Sequence, residues 1–143
     1  MSAIEENKAI VRRFFEEAWN EKKIADLHQY WSDNNVHHFG MAERAAGPDV
    51  AKQVMETWWT AFPDFRYNIA ALIAEDDLVA ARVTFSGTHT GVFKLGSRTI
   101  TPTNKPLCDP EMFVFRITDG KIVESWSTWD QLNVLTQLGA VEK

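Results

Sequence analysis

Glu111 is followed at strand spacing by Phe113, Phe115 and Ile117. A carboxylate walled by aromatic rings loses hydration and its pKa rises, which suits it to take and return a proton near neutral pH. The plainer alternative is a solvated Glu at a strand start beside Pro110. His89 lies in GTHTG between Gly87 and Gly91, on the parity of Val79, Ala81, Val83 and Phe85. That parity would point it into a cavity, where it could hold a substrate carbonyl or act as an acid. At a strand end it could equally be a polar cap bound to nearby backbone. His37 and His38 are adjacent, so only one of them can face inward on a strand. Asp130 resembles a reactive carboxylate, but a helix N-cap role accounts for it. His37, His38, His89 and Glu111 offer no HxH or HxxxH spacing, and no metal site is expected. The chemistry these residue types suggest is general acid–base proton transfer without a cofactor.

Elements must position these groups. Ser2 and Glu5 form a capping box. Ile10, Val11, Phe14, Phe15, Ala18 and Trp19 then predict an amphipathic helix over residues 3–20. A short second helix is expected to carry Ile24, Leu27 and Trp31. Ser32 to Asn35 reads as a turn, and Val36 to Phe39 as a short strand. Gly47-Pro48-Asp49 opens a third helix, with the stripe Val50, Val54, Met55, Trp58 and Phe62, and Pro63 ends it. The period then changes to two. Strands are predicted over 65–74, 78–88, 111–117 and 121–129. Residues 90–108 read as a polar connection with room for a short edge strand. Gly87 and Gly91 suggest a bulge or a close backbone approach. Asp130 caps a last helix that ends at Gly139. Helices followed by a meander of long strands make the class α+β, with helices on a strongly bent, mostly antiparallel sheet around a conical cavity.

Composition narrows the roles. The chain has 143 residues, read as one domain over 1–143, 45% of them hydrophobic and 24% charged. A net charge of −5 speaks against a nucleic-acid partner. The lone Cys108 excludes an intramolecular disulfide. Charges interrupt the apolar residues of the N-terminus, so no signal peptide or membrane span is expected and the cytoplasm is the default. Six Trp and nine Phe are generous, and a core or a pocket must take them.

FRITDGKIVESWSTWDQLNVLTQLG, FPDF at 62–65 and GTHTG at 87–91 resemble the SnoaL-like polyketide cyclase family, within the nuclear transport factor 2-like superfamily. The resemblance implies a cone-shaped α+β barrel, which hosts many chemistries. It also implies an acidic residue near the end of the last strand that moves a proton during aldol closure. Aligned on DGKI and QLG, that position here is Ser127, and a His of the preceding strand aligns with Phe113. A serine is no general base unless activated, so both departures weigh against that cyclisation. The resemblance retains His89 and matches the family's polar residue of the first short strand to His37.

Hairpin geometry decides what meets. A three-residue loop, Thr118-Asp119-Gly120, sets Glu111 opposite Ser127, about 5 Å away by Cβ spacing, and Phe113 opposite Ser125. A two-residue loop, Asp119-Gly120, sets Glu111 opposite Thr128 instead. The longer loop is favoured, since it groups Glu111, Phe113, Phe115 and Ile117 with Val123, Ser125 and Ser127 on one concave face. Glu111 would then replace the missing acid, His89 and His37 would polarise or position, and Ser127 would donate a hydrogen bond. Phe15, Trp19, Trp58, Phe62 and Phe113 are the expected apolar lining, with only one of Trp58 and Trp59 directed there. Trp126 and Trp129 have opposite parity. An outward Trp126 beside Met112 and Val114 points to a homodimer through the outer sheet face. The expected function is a small enzyme acting on a hydrophobic, oxygenated molecule by cyclisation, isomerisation, hydration or dehydration. A non-catalytic carrier of an apolar ligand and a structural dimer module are the alternatives.

Overall fold

In the computed structural model, which describes residues 2–141, the Ser2 hydroxyl accepts the Glu5 amide at 3.2 Å and starts helix α1, Ala3–Arg13. The predicted helix continues to Asn20, but Phe14–Asn20 is a π-helix. With i→i+5 bonding, residues four and five apart stand over one another. Phe14, Phe15, Ala18 and Trp19 therefore share one buried face. The predicted second helix is a 3-10 segment, Ile24–Gln29, and it buries Leu27. Trp31 is not part of it but begins strand β1, Trp31–Phe39. The expected turn at 32–35 is an irregularity inside that strand, where register with the last strand shifts between Trp31 and Val36. Asn35, fully buried, donates its side-chain amide to the Ile122 carbonyl at 3.2 Å.

Strand β2, Ala42–Ala45, pairs back on β1, with His37 opposite Arg44. Helix α2, Pro48–Ala61, begins at its proline as predicted. Strands β3, Arg66–Glu75, and β4, Leu78–Thr88, follow as an antiparallel pair. The polar connection contains a small hairpin, β5 (Phe93–Leu95) and β6 (Arg98–Ile100). Strand β7, Pro106–Thr118, is longer than expected. Pro106 and Pro110 precede the pairing with β8 (Lys121–Trp129), which begins at Glu111, so their missing N–H groups cost no bond on that side. Helix α3, Gln131–Gln137, is capped by the Asp130 carboxylate on the Asn133 amide at 2.9 Å. The main sheet runs β2-β1-β8-β7-β4-β3, antiparallel except for β1 with β8. No described helix is long and apolar enough to cross a membrane.

Two sets of polar contacts tie helices to the strands. Gly91 lies against the end of α2, and a Cβ there would meet the Thr60 carbonyl oxygen at 1.8 Å. The Thr90 and Gly91 amides both donate to the Ala61 carbonyl, at 3.2 and 3.0 Å. At the other side, the Asn20 side chain pairs with Tyr67 like a strand, giving and taking one bond at 2.8 Å each. Asn20→Ala is expected to cost about 1–3 kcal/mol, read by urea denaturation, because the Tyr67 amide and carbonyl lose their partner.

Candidate active site

A cavity of about 590 Å³ opens between α2 and the concave face of the sheet. Glu111, His37, Ser127, Trp19, Trp58 and Phe113 all line it. Phe15 and Phe62 do not: both are fully buried in the core beneath. Phe15 sits edge-on to Tyr67, Phe113 and Phe115, with ring centroids 5.1–5.8 Å away. Phe62 lies beside Trp58 and His89. Trp59 packs edge-on to Trp19 under the Lys22 ammonium, leaving Trp58 as the one of the pair that lines the cavity.

His89 is also outside the cavity lining. The chain bends at Gly91, and the ring is buried between Phe62 and Phe93. Its Nδ1 accepts the Thr103 amide at 3.3 Å and lies 3.0 Å from the Thr103 hydroxyl. Burial lowers its pKa. This is the polar-cap arrangement, and the strand parity that suggested otherwise ends at Thr88.

The hairpin register differs from both sequence expectations. The loop has two residues, Asp119 and Gly120, both at positive φ, and Thr118 pairs with Lys121. A bulge at Val123 then shifts the register by one. Glu111 consequently faces Trp129, and Phe113, not Glu111, faces Ser127. The bulge keeps Ser125 and Ser127 on the concave side and puts Ile122 there in place of Val123.

Glu111 is 7% exposed, and one of its oxygens accepts the Tyr67 hydroxyl at 2.8 Å. Burial pushes its pKa up to about 8, against the pull of the Tyr67 bond, and buried Asp109 two residues away adds to the rise. Burial, then the charge and bond of Glu111, raise the Tyr67 hydroxyl well above its usual range. Tyr67 is therefore a fixed donor. His37 projects from β1 between two hydroxyls, with Nδ1 2.7 Å from Ser125 and Nε2 2.9 Å from Ser127. The Ser125 hydroxyl also donates to the Asn35 side-chain oxygen at 3.5 Å. With Ser125 donating to Asn35, Nδ1–H donates to Ser125, and Nε2 is left to accept the Ser127 hydroxyl. Burial lowers the His37 pKa to about 4, helped by the positive charges of His38 and Arg44. At neutral pH the cavity thus holds a protonated carboxylic acid and an unprotonated imidazole. Groups whose surroundings push their pKa values apart in this way can act as acid and base. The Trp19 indole N–H is buried and has no hydrogen-bond partner among the described residues.

Tyr67 and Asn35 were not singled out by sequence, and Ser125 was placed on the concave face without a role. A phenol on the inward parity of Phe65 requires a partner, which was a usable signal for Tyr67. Asn35 carried none, because a polar SDNN run reads as a turn. Among the described residues no cluster of three His, Cys, Asp or Glu side chains could hold a metal ion. On the outer sheet face Trp126 is covered by the stacked His38 ring at 5.1 Å and by Arg116. Met112 remains 53% exposed beside it.

A bent sheet closed by helices around an apolar cavity, with Glu111 and His37 in its wall, defines a protein of the α+β cone fold. The family model for SnoaL-like polyketide cyclases matches residues 9–138, and the chain belongs to that family. Solved structures agree. AclR of Streptomyces galilaeus, described as a candidate hydroxylase, is 28% identical with a TM-score of 0.83, over 98% of this chain and all of its own. IdmH of Streptomyces antibioticus, described as a candidate polyketide cyclase, is 25% identical with a TM-score of 0.77, over 93% of this chain and 98% of its own. A SnoaL-like protein of Jannaschia sp. CCS1 is 23% identical, superposes with a TM-score of 0.85 over 99% of this chain and 98% of its own, and supports the fold alone. No curated protein matches in sequence.

Proposed function

We propose that the protein is a cofactor-independent enzyme that moves protons on an apolar, oxygenated small molecule of the polyketide kind. Glu111 is the general acid that gives a proton to a substrate oxygen and takes it back. His37, through the Ser127 hydroxyl or directly, is the base. Trp19, Trp58 and Phe113 hold the apolar body. His89, Phe15 and Phe62 have no place in this reading, since they stand outside the lining. The observation that carries it is one cavity with a carboxyl raised to about 8 and an imidazole lowered to about 4. A second copy remains the expected partner of the outer face around Met112.

The pH profile of kcat/KM tests it. Activity is expected to rise as His37 loses its proton near pH 4 and to fall as Glu111 loses its proton near pH 8. A plateau continuing well past pH 9 would remove Glu111 as the acid. Ligand bound tightly and recovered unchanged at every pH would favour the carrier reading, which the serine at 127 otherwise invites.

A further inference from the structure

We infer that Arg44, with Lys94 beside the same opening, binds a carboxylate of the ligand, so that the molecule held in the cavity is an apolar acid. The inference names the substrate class of the proposed site and rests on that reading only for the reaction.

Strand β2 carries the first observation. Ala42, Arg44 and Ala46 line the cavity, while Glu43 is turned to His38 at 3.6 Å on the other side. Arg44 is the register partner of His37, so the guanidinium stem starts on the cavity side, next to the base. Its alanine neighbours leave the head room to swing over the opening. Among the described residues neither Arg44 nor Lys94 makes an ion pair. Glu56 shares a shallow surface hollow with Lys94 without pairing to it.

Charge balance carries the second. The charged side chains lining the cavity are Arg44, Lys94 and Glu111, beside the neutral His37. With Glu111 protonated, the wall is positive at neutral pH in a chain of net charge −5. Arg44 already acts on the site, since its charge helps lower the His37 pKa. Both cations are exposed, and the aromatic walls lie deeper. An apolar body with an anionic end fits that polarity, and the planar guanidinium fork matches a carboxylate.

The test compares anthracene-2-carboxylate with anthracene-2-carboxamide, equal in ring size, by quenching of tryptophan fluorescence at low salt and pH 7. The carboxylate is expected to bind about tenfold tighter or more, and added salt should shrink the difference. Arg44→Gln should reduce the ratio to near one with carboxamide binding unchanged, and Lys94→Gln should reduce it in part. Equal affinity for the two compounds overturns the inference. So does a preference that survives the double variant, or a carboxylate Kd weaker than about 1 mM. The measurement needs no turnover, so it can fail while the acid–base pH profile holds, and the reverse.

Discussion

Glu111→Gln is expected to abolish most turnover and, at alkaline pH, to make the protein more stable. Gln reproduces the neutral acid in shape: its carbonyl can accept the Tyr67 hydroxyl and its amide can replace the acid O–H. What it cannot do is release a proton. The loss expected in kcat is about 10²- to 10⁴-fold, with the alkaline limb of the pH profile gone.

The stability effect follows from linkage. The folded pKa near 8 stands above the ordinary 4.5, so between those values the folded chain holds a proton that the unfolded chain has released. Glu111 therefore favours folding most below about pH 4.5, and that contribution drains away as pH rises through 8. The full difference is about 5 kcal/mol. Urea denaturation of the two proteins at pH 4.5 and 9 should give similar stabilities at the first and a clear advantage for the variant at the second. Parallel dependence across that range would mean that Glu111 titrates as a solvated acid. His37 works from the other side: its folded pKa lies below 6.5, so its contribution is lost as pH falls toward 4.

Gly91→Ala is the second large effect. The new methyl would sit 1.8 Å from the Thr60 carbonyl oxygen and 2.9 Å from its carbon, and both are backbone atoms of a helix end. No rotamer change relieves that overlap. Either α2 or the segment leading to β5 must shift, breaking the paired bonds to the Ala61 carbonyl. A loss of about 3 kcal/mol or more is expected, seen as a lowered thermal midpoint. Because β5 and the following turn carry Lys94, Leu95 and Gly96 at the cavity, ligand affinity should fall as well. Gly96→Ala is the control: its φ is +59° with open space around it, so only the left-handed backbone penalty of about 1 kcal/mol applies. Similar midpoints for the two variants would refute the packing role of Gly91.

The helix–strand switch at Pro63 was legible because hydrophobic periodicity changes there and a proline marks the place. The Ser2 cap, the α2 start and the full span of β4 were read from similar local signals. Strand β2 was missed because Ala42–Ala45 is exposed throughout and shows no apolar alternation. The bulge at Val123 was invisible for a different reason. Sequence carries the parity of Phe113, Phe115, Ser125 and Ser127, but one unpaired residue in β8 exchanges the inward parity between Ile122 and Ser125 and moves every later partner by one. Glu111 could therefore be assigned to the concave face and given the wrong neighbour. His89 differs in kind: β4 and its parity end at Thr88, and the ring is buried between Phe62 and Phe93, outside the cavity lining.

The parallel pairing of β1 with β8 has a consequence in time. Strand β8 fills a slot between β1 and β7, so the first strand of the main sheet, paired locally with β2, finds its other neighbour only once residues 121–129 exist. The contacts of His37 with Ser125 and Ser127 span 88 and 90 positions. Such distant closures come late in folding and slow it. During synthesis the aromatic wall from β3, β4 and β7 can assemble first, open along one side. The final strand then brings the serines to the imidazole, and the base half of the site comes into being only as the cone shuts.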